Sequence, residues 1–200
     1  MSDIVLPESI YAPTQGDSAI RQGEILTGLM QFILDVSDRL SLEDISFSSL
    51  LHPYAIVVSQ DCDLDWDFKA RTANERNSGK LIPNILFCEV VTAEDLRGSE
   101  GINSTLWGNI RTNKNERYQF LQRILPEQEA LGLGLPELGV DFKRYFTIPT
   151  SEVYAQFRWE NGAQRRCWFR SPYAEHFSTR FHYYQARIAL PSDHFSEPAS

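Results

Sequence analysis

Apolar residues along this chain fall mostly in short continuous runs, and runs of this kind mark strands covered on both faces. The clearest is Tyr54-Ala55-Ile56-Val57-Val58-Ser59, entered through His52-Pro53, and it predicts a central strand. Ile85-Leu86-Phe87-Cys88-Glu89-Val90-Val91 predicts a second buried strand, and Val140 to Ile148 gives one more strand. Arg117 to Leu121, closed off by Pro126, and Arg165 to Phe169, after the turn Asn161-Gly162, read as further strands. Gln22 to Leu29 is a short apolar strand carrying Gly23 and Gly28. Glycine inside a strand pattern points to a bend or bulge, as a small barrel requires. Residues 1–19 are polar with two prolines and lack usable periodicity, so an irregular arm is expected there and the fold is expected to start near Ile20.

Helical spacing is plainest near the end of the chain. Ser171-Pro172 opens an amphipathic helix in which Tyr173, Phe177, Phe181, Tyr184 and Ile188 recur on one face before Pro191 stops it, a seam for the core. Residues 192–200 then form a disordered tail. Shorter helices are expected after the caps Thr92 and Thr150, and after Ser104. Leu131 to Pro136 reads as a loop; it lacks the strand before and the Lys-Ser/Thr helix after that a phosphate-binding loop needs. Arg71 to Lys80 reads as a mobile surface loop. The segment Asp61 to Phe68 alternates acidic and apolar residues. As a strand it would set Asp61, Asp63, Asp65 and Asp67 on one face, with Cys62, Leu64, Trp66 and Phe68 on the other.

The 200 residues, 42% hydrophobic and 12% aromatic, suffice for one well-filled core, and one domain is expected over residues 20–191. No secretory leader and no membrane-length apolar run is evident, so a cytoplasmic protein without a membrane partner is expected. Three cysteines without close spacing suggest neither a disulfide framework nor a zinc site. A net charge of −8 gives no general affinity for nucleic acid, so a nucleic-acid role would need a local basic patch.

Arg21-Gln22-Gly23-Glu24-Ile25, the Tyr54–Ser59 strand and the string Leu81 to Thr92 together resemble the PemK/MazF-type toxins over roughly the first half of the chain. Ser59-Gln60-Asp61-Cys62-Asp63-Leu64, Asn115-Glu116-Arg117-Tyr118 and the aromatic C-terminal helix are similar to a poorly characterised bacterial family with a Ser-Gln-x-Cys-Asp signature. The resemblance implies an α+β fold: a small, curved, antiparallel SH3-like β-barrel with short helices and a C-terminal amphipathic helix packed on it. It also implies a component of a toxin–antitoxin or phage-defence system, often dimeric. In the toxins an arginine and a later hydroxyl surround the scissile phosphate, and cleavage needs no metal. Here His52 stands where the arginine should be, while Thr92 can be laid on the hydroxyl position. Histidine lacks the permanent charge and bidentate fork of arginine.

Two functions follow as expectations. The leading one is a module that acts mainly by binding a protein partner, an antitoxin or regulatory protein. Its surface would be the aspartate row Asp61, Asp63, Asp65 and Asp67 with the arginine/aromatic group Arg165, Arg166, Trp168 and Arg170. The alternative is a metal-independent, sequence-specific endoribonuclease, with His52 as acid or base, Thr92 beside it, and Arg71, Arg76 or Lys80 as the cation. Single-stranded RNA and a homodimer stay open as partners, and neither a cofactor nor a metal is expected. The row could equally be a solvated edge or hold Mg²⁺ or Ca²⁺, though the spacing lacks the glycine and terminal glutamate of a calcium loop. Cys62, between two aspartates, and Cys88 are expected to be buried and inert.

Overall fold

Seven strands and five α-helices form among residues 9–36, 45–75 and 79–187, which are the residues the computed structural model describes. The strands are β1 (Tyr11–Pro13), β2 (Ile25–Val36), β3 (Ile45–Val57), β4 (Asn84–Thr92), β5 (Tyr118–Leu121), β6 (Leu138–Pro149) and β7 (Gln164–Phe169). They build one curved, open sheet in the order β1-β7-β2-β3-β4-β6-β5, with every pairing antiparallel. The helices are α1 (Asp61–Thr72), α2 (Ala93–Gly98), α3 (Ser104–Arg111), α4 (Thr150–Gln156) and α5 (Tyr173–Gln185). The architecture is therefore α+β.

The continuous apolar runs mean what they suggested: both faces of the sheet are covered. Ile25, Ile56, Cys88, Val140 and Cys167 face one core, closed by Phe177, Phe181 and Tyr184 of α5. Their chain neighbours Leu26, Ala55, Val57 and Phe87 face the other, closed by Leu64 of α1 and Val153 of α4. A third, smaller cluster joins Leu96, Ile110 and Tyr118 under α2 and α3. Each buried Leu, Ile, Val or Phe contributes about 1.5–3 kcal/mol relative to leaving it in water, so the doubly covered centre of the sheet dominates stability.

Gly28 sets the shape of the longest hairpin. It has a left-handed φ of +72°, and the residue opposite it, Pro53, has no N–H to give the ladder. Neither joins the β2–β3 register, which runs Thr27↔Tyr54 and resumes at Leu29↔His52. Leu26 and Leu29, three apart, consequently face the same core, which regular alternation forbids. Beyond this pivot β2 and β3 continue as a two-stranded ribbon to Val36↔Ile45.

Several expectations change. The first nineteen residues are not wholly irregular: Tyr11–Pro13 pairs with Cys167–Phe169, and Tyr11 is fully buried against Phe169. The strand expected from Tyr54 begins at Ile45, so His52 lies inside it and not at its entrance. Asp61 to Phe68 is helix, so the four aspartates do not share a strand face. A period of two and a helix agree on the i,i+4 relation. The helix wins because Asp61 and Asp63 lie near its positive end while Asp65 and Asp67 pair with Lys69 and Arg71 one turn on. Arg71 and Thr72 end that helix and are no loop. Thr150 is the first residue of α4, not its cap, and its hydroxyl donates to the Ile82 carbonyl at 2.9 Å. Thr92 does cap α2, accepting from the Asp95 N–H at 3.0 Å. In α5, Phe177, Phe181 and Tyr184 are buried while Tyr173 is exposed; Ile188 and the 192–200 tail lie outside the described residues.

Candidate functional site

His52, Thr92 and Arg71 are each committed elsewhere. His52 is buried, its ring stacked on Phe146 at 3.8 Å between centroids and 6° between planes, with Nε2 3.0 Å from Gln31 Oε1. Burial holds the imidazole below its ordinary pKa, outweighing the nearby Glu89, so it is a neutral ring without a cation's role. The Thr92 hydroxyl, besides capping α2, donates to Asp95 Oδ2 at 2.6 Å. Arg71 Nε donates to Asp67 Oδ2 at 2.7 Å, and Nη2 to the Ile82 carbonyl at 3.3 Å. Ile82 and Thr92 flank opposite ends of β4, roughly 30 Å apart at about 3.3 Å per residue, so Arg71 and Thr92 do not converge. Arg76 lies outside the described residues.

The expected partner surface is internal in part: Asp67 and Arg166 are buried, while Asp61, Asp63 and Arg170 are exposed and Asp65 and Trp168 half-buried. Arg165 and Arg166 sit on opposite faces of β7, Arg166 buried and Arg165 half-buried, and both are held in ion pairs. Arg165 Nε reaches Glu24 Oε1 at 2.6 Å, and Arg166 Nε reaches Glu129 Oε2 at 2.8 Å. Arg170 Nε donates to the Tyr11 carbonyl at 3.3 Å, and Trp168 lies under the Arg21 guanidinium at 4.2 Å. Asp61 receives Arg21 and the Gln22 N–H, and Asp67 is itself buried, receiving the Ile82 N–H besides Arg71. These groups hold loops to the sheet. Ser59, first residue of the signature string, accepts the Leu86 N–H at 2.9 Å and joins α1 to β4. Cys62 is exposed, contrary to expectation, because α1 turns it outward; Cys88 and Cys167 are buried, and burial pushes both thiols far up.

Among the described residues, no group of three or more His, Cys, Asp or Glu is arranged to hold a metal ion. A cavity of about 550 Å³ lies between α1 and α4, lined by Phe68, Arg71, Glu75, Tyr154 and Arg158 among others. The Tyr154 hydroxyl is buried without a hydrogen-bond partner among the described residues, and burial pushes it up to about 12. Size and mixed lining suit a small ligand, yet neither His52 nor Thr92 reaches it.

The feature that sequence reasoning missed is the ribbon beyond Gly28 and Pro53. Phe32, Ile33, Leu34, Phe47, Leu50 and Leu51 are all exposed there, Phe47 to 77%. Register sorts them. Met30, Phe32 and Leu34 lie on one face with Leu51, Ser49 and Phe47, and the opposite face carries Gln31 and Ile33 with Leu50 and Ser48. At its root the side chain of Gln156 takes over from β7, accepting the Met30 N–H at 2.8 Å and donating to the Met30 carbonyl at 2.7 Å. Trp159 stands beside Phe32, ring centroids 6.4 Å apart. The ribbon thus presents large apolar side chains to solvent on an otherwise charged molecule.

No known protein family, no curated protein and no solved structure matches the chain. Among the described residues, no helix is long and apolar enough to cross a membrane.

Proposed function

We propose that this chain is a MazF/PemK-like module, with the sheet as a divergent form of the SH3-like barrel, that works in the cytoplasm by engaging a protein partner within a toxin–antitoxin or phage-defence system. The observation that carries the binding reading is the exposed apolar ribbon of β2 and β3, with most of its large side chains on one face. Soluble monomers seldom expose contiguous apolar area beyond a few hundred Å², and larger patches mark docking sites. We place the partner surface on the ribbon rather than on Asp67, Arg165 and Arg166, which are spent on internal pairs.

Cleavage of RNA has less support. A metal-free ribonuclease needs a cation where charge builds on phosphate, with a base and an acid near it. His52 is buried and neutral in character, and Thr92 is tied to Asp95. The test has two arms. Labelled single-stranded RNA incubated with the purified chain should stay intact, and co-purification with the product of an adjacent gene should be lost in the Leu34→Glu/Phe47→Lys variant. Cleavage that disappears in His52→Phe while the fold persists would reinstate the endoribonuclease. Co-purification that survives the ribbon variant would move the partner surface elsewhere.

A further inference from the structure

The cavity between α1 and α4 is walled by apolar and aromatic surface from Phe68, Leu81 and Tyr154, and its charged lining consists of Arg71, Glu75 and Arg158. Two of those charges are already answered. Arg71 pairs with the buried Asp67 at 2.7 Å, and Glu75 faces Lys80 at 3.7 Å. Arg158 is exposed, and its side chain enters no hydrogen bond or ion pair among the described residues, so one positive charge at the cavity is uncompensated. The Tyr154 hydroxyl is a second group without a partner among the described residues, although it is covered from solvent. A covered hydroxyl left unpaired is destabilising, and an incoming acceptor relieves it. From this geometry we infer that the cavity binds a small, flat aromatic anion, its ring held among Phe68, Leu81 and Tyr154 and its phosphate or carboxylate on Arg158.

The walls are fixed before a ligand arrives. Asp67 accepts both Arg71 Nε and the Ile82 N–H, and the Ile82 carbonyl receives Arg71 Nη2 at 3.3 Å and the Thr150 hydroxyl at 2.9 Å. These bonds tie α1, the approach to β4 and the first residue of α4 into one frame, so binding spends little on ordering the site. The volume of about 550 Å³ falls within the roughly 300–1,000 Å³ of small-molecule pockets. A flat ring suits the lining, because aromatic rings stack on one another and on guanidinium planes, and the Arg71 guanidinium already lies 5.7 Å from the Tyr154 ring centroid. The Tyr154 phenol, pushed up to about 12 by burial, stays protonated, so the ligand has to present it with an acceptor; a small shift of the rim brings a phosphate, carboxylate or ring oxygen against it. Water alone would satisfy the hydroxyl but would leave the apolar wall wetted and Arg158 unanswered. The net charge of −8 opposes an anion only from afar, since screening over about 8 Å at physiological salt leaves the nearest cation in control.

Isothermal titration calorimetry on the full chain separates the parts. Adenosine monophosphate, guanosine monophosphate and phenylacetate each carry a ring and an anion, whereas adenosine carries the ring alone and inorganic phosphate the anion alone. At least one of the first three should bind well below millimolar, and about tenfold or more tighter than adenosine or phosphate. A nucleotide ahead of phenylacetate assigns phosphate as the charged group and the reverse order assigns carboxylate; either order supports the site. Arg158→Gln, at an exposed position, should weaken that ligand about tenfold or more, since a charge-assisted bond is lost. Tyr154→Phe should weaken it about fivefold, yet leave the thermal midpoint unchanged or raised, because the hydroxyl has no internal partner to lose. Leu34→Glu/Phe47→Lys, on the ribbon, should leave ligand binding unchanged, so this site and the partner surface stand or fall separately. Failure of all three compounds to bind below about 1 mM overturns the inference. So does a bound ligand indifferent to Arg158→Gln or to Tyr154→Phe, or a lowered midpoint in Tyr154→Phe, which would reveal an internal partner for the hydroxyl.

Discussion

Glu129 is a buried carboxylate that accepts four hydrogen bonds. Its oxygens accept from the N–H groups of Leu131, Leu133 and Gly134 and from Arg166 Nε. Burial by itself would push the carboxyl up, but Arg166 and the backbone donors outweigh it and hold the group at about 2. Because the folded value lies below the unfolded one near 4.5, the stabilisation is fully present above pH ~4.5 and fades as pH falls towards 2, with a size of roughly 3 kcal/mol. Glu129→Gln should therefore lower the stability at pH 7 by about 3 kcal/mol, and urea titrations should show the two proteins converging as pH approaches 2. His52 obeys the same sign. Its folded pKa is lowered, so its contribution is complete above the unfolded value near 6.5 and is lost as pH falls through the folded one. His52→Ala should cost about 2–3 kcal/mol through the lost stack on Phe146, whereas His52→Phe keeps the ring and should cost under about 1 kcal/mol, both read from denaturant midpoints.

Elements were legible where one local signal was enough. β4, β6 and β7 are apolar runs bounded by turns, and α5 carries aromatics at helical spacing behind Ser171-Pro172. Asp61 to Thr72 was ambiguous for a physical reason, since alternation and helix both repeat at i,i+4, and only the tertiary partners Arg21 and Ile82 reveal which face each aspartate takes. The site was less legible still. Glu24 and Arg165 are 141 positions apart, so no local pattern tells that this arginine is spent internally. Likewise Ile45 to Leu51 mixes serine with leucine and does not announce a strand, because a ribbon outside the core has no buried face to impose alternation. Gly28, seen in the sequence as a bend, is the pivot where that ribbon leaves the body. Gly28→Ala should cost about 1–2 kcal/mol, since a Cβ is unfavourable at a left-handed φ, measured as a lower urea midpoint. Gln156→Leu strands the Met30 N–H and carbonyl and should cost about 1–3 kcal/mol.

At the scale of the whole molecule, one sheet has two physical regimes. Its centre, where Ile25, Ala55, Ile56 and Phe87 are fully buried, is covered on both faces and opens only with global unfolding. Past Leu29 and His52 the same two strands continue with large apolar side chains exposed on both faces, and an isolated two-stranded ribbon is at best marginally stable in water. Amide exchange should register the boundary sharply. In the Leu34→Glu/Phe47→Lys variant, the amides of Phe32 to Leu34 and of Phe47 to Leu50 should exchange with little protection, while those of Ile25 and Ala55 to Val57 exchange only at the global rate. In the wild-type chain, a bound partner that covers the apolar face should slow the ribbon amides at least about tenfold, with no change at the sheet centre. Removing the partner should restore the fast exchange. Ribbon amides equally slow in both proteins would mean that the body, not a partner, stabilises these strands, and the ribbon would then be part of the fold's own packing, with no role as a docking surface.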